Sequence, residues 1–421
     1  MRPIAVIGAG QAGLQLALGL QHHGYQVTLV TDRTPEQVES GQVMSTQALF
    51  HDACETERQL DLNFWDGLCH SIEGIAFSVP HPELPGHKAM SFEARLDHPA
   101  YSIDQRVKFA HWQRTFAGRG GAVVTEQADV NTAERLSDTH DLVLVATGKG
   151  DLGRIFERDA SRSPYDAPQR HLALAYLQNV RPRSGHSAVT FNLIPGAGEV
   201  FLLPGLTRTA QGAWLPYENV LIEAVPGGPL DVFRDIQDPA DQLQRMLALM
   251  AAFVPWDYDR VKDAQLTDVM GTLVGQVTPQ VRRPVATLPS GRPVLGLGDA
   301  VVVNDPLTGQ GAGSAARASA VYLERILWQR DRPFDRSWMQ DTFEDYWGYA
   351  QYVTQWTNAL LGPPPPHVLG VLDAAQRHPS LAHAFVNGFN HPPEFFPWLT
   401  SPHEAAAFMA RHGVAALATQ T

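Results

Sequence analysis

The chain opens on a pattern that leaves few folds available: the apolar run Ile4-Ala-Val-Ile7, then Gly8-Ala-Gly-Gln-Ala-Gly13, then leucines at helical spacing. A short continuous apolar run reads as a parallel strand buried on both faces. Leu14, Leu16, Leu18 and Leu20 mark the buried side of the next helix, which Gly24 is placed to end as a C-cap. Val27-Thr-Leu-Val30 is a second strand, running into Thr31-Asp32-Arg33. The unit of strand, glycine loop, helix and strand is the signature of dinucleotide binding. Gly8 permits the tight turn, Gly10 lets the backbone approach a pyrophosphate, and Gly13 lets helix pack on strand. The pyrophosphate would rest on the helix N-terminus. Asp32, about 20 residues past the loop, is the acid expected to take the ribose hydroxyls, a role Thr31 could share. Alone, such a loop can mark only a tight turn; its setting between a buried strand and a helix gives it weight.

The same sheet is expected to continue much later in the chain. Gly121-Ala-Val-Val124 and Asp141-Leu-Val-Leu-Val-Ala146 read as further buried strands, the latter opening into Thr147-Gly148. Pro293-Val-Leu-Gly-Leu-Gly298 returns to the pattern, and Ala312 to Gln329 is a long helix. Between them, from Pro164 to about Arg282, Pro- and Gly-rich turns separate alternating runs such as Ala188–Leu193 and Val200–Leu203, which predicts a mixed or antiparallel second sheet. A helix from about Pro239 to Phe253 is interposed, and Arg336 to Leu361 begins a terminal helical region broken at Pro363 to Pro366. The expected class is therefore α/β, with a discontinuous Rossmann-like domain over 1–75, 100–165 and 285–330. A mixed-sheet substrate domain is expected over 76–99 and 166–284, and C-terminal helices over 331–421.

A second motif decides which dinucleotide. Gly298-Asp299 ends a strand, and Asp305-Pro306-Leu-Thr-Gly309-Gln-Gly-Ala-Gly313 opens a helix. Asp299 can hydrogen-bond sugar hydroxyls, and the amides of Gly309, Gln310, Gly311 and Ala312 can face the pyrimidine carbonyls of a flavin and stabilise negative charge on its reduced ring. The expected cofactor is FAD; a purely structural strand-loop-helix corner is the alternative. Arg106, in Asp104-Gln-Arg106 at the head of a helix, is a further cofactor contact or else a surface ion pair.

Composition sets the outer bounds. With 44% hydrophobic and 18% charged residues, the chain has the make-up of a soluble globular enzyme with apolar material for a cavity. A net charge of -12 argues against nucleic acid or an anionic membrane as partner. The longest apolar stretch, around Met246 to Val254, falls well short of the roughly 20 residues that span a bilayer. No membrane helix and no signal peptide are expected, and the cytoplasm is the expected location. Cys54 and Cys69 have neither a C-x-x-C spacing nor a His partner, so inert buried thiols are expected and a metal site is not.

Taken together, VIGAGQAGLQLALGL, ATGKGDLGRIFE, GLGDAVVVNDPLTGQGA and the terminal QWTNALL and FVNGFNHP segments resemble the styrene and indole monooxygenases. These are two-component FAD-dependent epoxidases with a p-hydroxybenzoate-hydroxylase-type fold. The resemblance runs nearly end to end, and the terminal segments are specific, since generic flavoprotein hydroxylases share only the glycine loops. It implies that a separate NADH-dependent flavin reductase supplies reduced FAD, that O2 is co-substrate, and that one oxygen atom passes to a small aromatic alkene or a thioether. Such electrophilic transfer needs no nucleophile or general base, which suits a chain with no Ser/His/Asp or paired-carboxylate pattern. The protein's part is a dry cavity that orients the alkene. A homodimer is compatible with the sequence, which leaves the oligomeric state open.

The resemblance also assigns a substrate pocket. Styrene-type members share Asn-x-Val-x-His, a Tyr and His pair, and a Ser; indole-type members show Ser-x-Gln-x-Met, an aliphatic pair, and Ala. This chain has Ser45, Gln47 and Leu49, then Ile72 and Ile75, then Ala100, the indole pattern with Leu for Met, and Pro306 joins these residues. Leucine is close to methionine in volume, so it tunes the pocket. Gln47 can offer its amide oxygen to the indole N-H, whose absence would leave a buried amide at a cost of about 1–3 kcal/mol. Alternatively, Ser45 and Gln47 bond backbone near the flavin. Three rivals remain: a styrene-type epoxidase, a single-component hydroxylase that binds NAD(P)H itself, and an FAD carrier without oxygen chemistry. A halogenase is disfavoured, because the nine tryptophans include no Trp-x-Trp-x-Ile-Pro stretch.

Overall fold

Pro3–Ile7 forms the strand that the opening apolar run predicts. In the computed structural model, which describes residues 2–45, 48–148 and 150–414, it lies inside a six-stranded sheet. The strand order is Val285–Thr287, Pro293–Gly296, Leu142–Val145, Pro3–Ile7, Gln26–Thr31, Ala122–Thr125. All neighbours run parallel except Val285–Thr287, which pairs antiparallel with Pro293–Gly296. The inner strands are buried on both faces, as apolar runs without alternation require. The four central strands are those read from the sequence, whereas Ala122–Thr125, read as buried, is an exposed edge strand; the α/β class with its Rossmann-type sheet is as expected.

This sheet belongs to a first unit made of Met1–Asp66, Ile103–Pro168 and Val277–Gln351. Helix Gln11–His22 follows the first strand, and helix Gly311–Gln329 packs on it. Ser319 Oγ donates to the Ala12 carbonyl (2.8 Å), and the Tyr322 hydroxyl donates to the Gly296 carbonyl (2.9 Å), tying the long helix to the first helix and to the sheet.

The second unit comprises Gly67–Ser102, Gln169–Gln276 and Tyr352–Thr421. Its eight-stranded sheet has the order Gln265–Leu266, His171–Gln178, Trp214–Ala224, Gly198–Arg208, Ala188–Ile194, Ile72–Pro80, Lys88–Ala100, with Thr272–Gln276 also pairing His171–Gln178. Ile72–Pro80 and Ala188–Ile194 are parallel and the other pairs antiparallel, the mixed sheet predicted. Val200, Leu202, Val220 and Ile222 on one face pack with Met246 and Met250 of helix Pro239–Phe253. Phe77 and Phe92 sit under Phe385 of helix Pro379–Asn387, at ring separations of 6.5 and 5.7 Å.

The two terminal segments that carry the resemblance form one aromatic cluster. Trp356 meets Phe389 edge-on at 4.8 Å and Phe395 at 4.4 Å. Asn387 accepts from the Asp97 amide (2.8 Å) and donates to the Arg95 carbonyl (3.2 Å), which ties this cluster to the strand Lys88–Ala100. No helix among the described residues is long and apolar enough to cross a membrane.

Candidate active site

The ends of four adjacent parallel strands carry the first unit's predicted residues. Gly8 leaves the first strand at φ +116°, a left-handed conformation that favours glycine, and donates its N-H to the Val30 carbonyl (2.9 Å). A Cβ there would meet the Ala146 backbone at 2.9 Å, next to Thr147. On Gly13 a Cβ would run into the carbonyl oxygen of Gly8, so the close helix-strand approach read from the sequence is present. Gly10, the N-cap of helix Gln11–His22, instead has nothing within 4 Å on its Cβ side.

Next along the sheet, Gly148 lies against Asp299, whose carbonyl oxygen is 2.5 Å from where a Cβ would stand. The Asp299 residue is exposed in the short turn Gly298–Ala300. Arg282 fixes that turn by donating through Nη1 to the carbonyls of Asp299 (3.1 Å) and Ala300 (3.0 Å), a contact nothing in the sequence announced. On the other side of the first strand, Asp32 is exposed past the end of Gln26–Thr31, with Arg33 at 3.6 Å. Thr31 is buried, and its hydroxyl donates to the Arg33 carbonyl (3.2 Å). Asp32 is therefore the residue with its side chain turned outward.

N-caps differ among the first unit's helices, and helix His51–Gln59, which follows Phe50, has no side-chain cap. Thr34, Asp104 and Asp129 cap helices Pro35–Glu39, Gln105–Gly118 and Val130–Ser137 through side chains that accept backbone N-H groups. Neither Gly10 nor Gln310, the N-caps of helices Gln11–His22 and Gly311–Gln329, supplies such a bond. Their first-turn amides, at the positive ends of the helix dipoles, are suited to a ligand's oxygen atoms. Gly309 at φ +65° turns the chain into Gln310, Gly311 is exposed, and Ala312 half-buried, while Pro306 is half-buried in the preceding turn beside buried Asp305. One loop suits a pyrophosphate and the other a flavin's pyrimidine edge, with Asp32 and Asp299 at positions for sugar hydroxyls; the residues present fit FAD.

Arg106 corrects the surface alternative. It is buried, gripped by Asp104 through Nη2 (2.8 Å) and Nε (3.0 Å), and its Nη1 donates to the Gly41 carbonyl (3.3 Å). Sequence reasoning also missed the polar network under the first helix. Lys108 and Glu57, both fully buried, form an ion pair, and Gln11 Nε2 donates to Glu57 Oε1 (2.9 Å) and to Gln15 Oε1 (2.9 Å). Cys54 and Cys69 are buried free thiols, pushed by burial up to about 12 and about 11.

The pocket residues fall in both units. In the first, Ser45 is half-buried and Leu49 buried, with the Leu49 carbonyl accepting from Cys54 Sγ (3.3 Å); Gln47 lies outside the described residues. In the second, Ile72 and Ala100 are cross-strand partners and Ile75 sits further along the same strand, all at 2% exposure or less. A cavity of about 450 Å³ elsewhere in this unit, lined by His70, Ser71, Arg183, Tyr217 and Glu218 among others, involves none of them.

Two family models match separate parts of the chain. The family model described as "Styrene monooxygenase A putative substrate binding domain" matches residues 148–260. A model described as "NADP oxidoreductase coenzyme F420-dependent" matches residues 3–59, the nucleotide-loop unit alone. Among solved structures, the flavin-dependent brominase Bmp2 has a TM-score of 0.66 at 12% identity, covering 98% of this chain and 99% of its own. A flavoprotein/dehydrogenase from Cytophaga hutchinsonii also has a TM-score of 0.66 at 12% identity, covering 97% and 99%. At those identities the likeness is one of fold. The styrene monooxygenase StyA of Pseudomonas fluorescens is 30% identical over 410 residues, 95% of each chain. With that identity over nearly the whole length of both, the chain belongs to the styrene monooxygenase family.

Proposed function

We propose that this protein is the epoxidase component of a two-component system and that indole is among its substrates. As a family member it is a FAD-dependent monooxygenase. Reduced FAD and O2 supply the oxygen atom, and the chain's own residues bind, orient and exclude water. Gly8, Gly10 and Gly13 with the first helix hold the pyrophosphate, Asp32 and Asp299 the sugar hydroxyls, and the Gly309–Ala312 turn the pyrimidine edge, where helix amides favour the reduced, anionic ring. Thr147 and Gly148, which lie against Gly8 and Asp299, would flank the cofactor, and Arg106 supports the Gly41 backbone from its buried pair with Asp104. A separate flavin reductase supplies the reduced cofactor.

The observation that carries the indole reading is the set Ser45, Gln47, Leu49, Ile72, Ile75 and Ala100, which follows the indole-type pattern except at Leu49. Burial of Ile72, Ile75 and Ala100 supports an apolar wall. In this reading Ile72, Ile75 and Ala100 supply apolar surface for the ring, and Gln47 is the residue whose amide oxygen would accept the indole N-H. The epoxide then opens to indoxyl, which air oxidises to indigo. The 30% identity to a styrene monooxygenase favours styrene as a second substrate, and thioethers share the electrophile's requirement for an electron-rich atom.

The test is product analysis with chemically reduced FAD, so that no reductase is involved. Indole is expected to give indigo. Ser45→Asn with Gln47→Val is expected to shift kcat/KM from indole toward styrene by about tenfold, the worth of one buried hydrogen bond. An unchanged ratio removes Gln47 from the argument. Mixing the FAD-loaded protein with NADH alone is expected to leave the flavin oxidised; rapid bleaching would mean a self-sufficient hydroxylase.

A further inference from the structure

Strand Trp214–Ala224 alternates across its sheet, with Val220, Ile222 and Ala224 in the core against helix Pro239–Phe253 and Tyr217, Asn219 and Leu221 on the opposite face. Register carries that opposite face across the sheet. Asn219 pairs with Tyr176 on one side and Leu203 on the other, Phe201 pairs with Phe191, Phe191 with Phe77, and Val189 with Ile75. Asn219 thus stands on the same face as Ile75, among apolar and aromatic side chains.

At 1% exposure, Asn219 has no hydrogen-bond partner for either its Oδ1 or its Nδ2 among the described residues. Asn192, two strands away on the core face, shows the ordinary case. Its Nδ2 donates to Val200 O (3.2 Å) and Asp257 Oδ2 (2.8 Å), and its Oδ1 accepts from Trp256 Nε1 (3.0 Å). A buried amide can make up to four hydrogen bonds, and leaving all of them unmade is costly. Such a group calls for an explanation, and a ligand that completes its hydrogen bonds is one.

We propose that Asn219 is a specificity residue whose amide hydrogen-bonds a polar substituent on an aromatic alkene substrate. The inference rests on the aromatic-alkene reading above and extends it from the bare ring to a ring bearing a donor or acceptor. Ile75 and Asn219 are three interstrand steps apart, each roughly 4.8 Å. That sets their backbones about 14 Å apart, so a molecule lying against Ile75 reaches the amide most readily through a group carried on its ring. A hydroxyl or hydroxymethyl group satisfies the amide; a methyl or ethyl group of the same shape leaves it unpaired.

The experiment compares kcat/KM for ring-positional isomers of hydroxy- and hydroxymethyl-indoles with their methyl and ethyl counterparts, and repeats the pairs on styrene. It uses the full chain, chemically reduced FAD, and the variants Asn219→Leu and Asn219→Ser. In the native protein at least one polar isomer is expected to exceed its hydrocarbon counterpart by about tenfold. Asn219→Leu is expected to abolish that preference, to leave the hydrocarbon pair within about twofold, and to melt no lower than the native protein. The proposal is overturned if no polar isomer is preferred, if the preference survives Asn219→Leu, or if both members of each pair fall together. Failure of both variants to fold would show that the amide has a structural partner, and overturns it too. Absence of turnover on every indole sinks the indole reading alone, because the styrene pairs then decide the role of Asn219 by the same criteria.

Discussion

At Gly13 the reason for glycine is a carbonyl oxygen. Any side chain would run into Gly8 O, so Gly13→Ala is expected to push the first helix off the loop, lower affinity for FAD by about tenfold or more, and lower the melting temperature. Flavin titration and thermal melting measure both. Asp32 separates the two effects. It is exposed and its neighbour Arg33 stands at 3.6 Å, so Asp32→Ala is expected to weaken FAD binding by roughly tenfold while leaving the melting temperature within about 1 °C. Equal binding by native and Asp32→Ala proteins would remove the ribose role. Residues of this kind were legible because their roles are local: a turn, a close approach, a carboxylate at a strand end. Arg106 was not, because its burial depends on a carbonyl 65 positions away, at Gly41, and no spacing encodes that.

At the scale of elements, the buried Lys108–Glu57 pair joins helix Gln105–Gly118 to helix His51–Gln59, with Gln11 attaching the first helix. Breaking one partner of a buried pair costs about 3–5 kcal/mol because the other charge is stranded. Lys108→Met alone is therefore expected to be strongly destabilised in urea unfolding, and Lys108→Met with Glu57→Gln to recover much of the loss; a double variant as unstable as the single would contradict this. A milder device acts at Asp129, which accepts from the Thr132 amide (2.8 Å) and caps helix Val130–Ser137. That bond holds its carboxyl below the ordinary 3.8. The folded state thus prefers the ionised form: the stabilisation is complete above pH about 3.8 and is lost as pH falls through the lower, folded value. Asp129→Ala is expected to lower the melting temperature at pH 7 and to match the native protein more closely at pH 2.

Strands were legible in the sequence where burial on both faces removes alternation, as in Pro3–Ile7 and Leu142–Val145. Lys88–Ala100 was not. It is an edge strand with charged residues along it, and its partner Ile72–Pro80 is recognisable only from the pairing.

Over the whole molecule, the chain leaves each unit and returns to it, so both sheets are built from segments distant in sequence. Periodicity shows the elements but not which of them pair; the returning strand Pro293–Gly296 was read because it repeats the buried pattern of the first. Fold likeness reaches brominases and a dehydrogenase, so the fold alone does not select a reaction. The central claim is that this chain holds reduced FAD and passes one oxygen atom from O2 to a carbon-carbon double bond. Its most direct measurement is a single turnover with purified protein, chemically reduced FAD, isotopically labelled O2, and indole or styrene. The expected result is labelled styrene oxide, and labelled indoxyl that goes on to indigo. Flavin that binds tightly and reoxidises while both alkenes are recovered unlabelled would contradict the account.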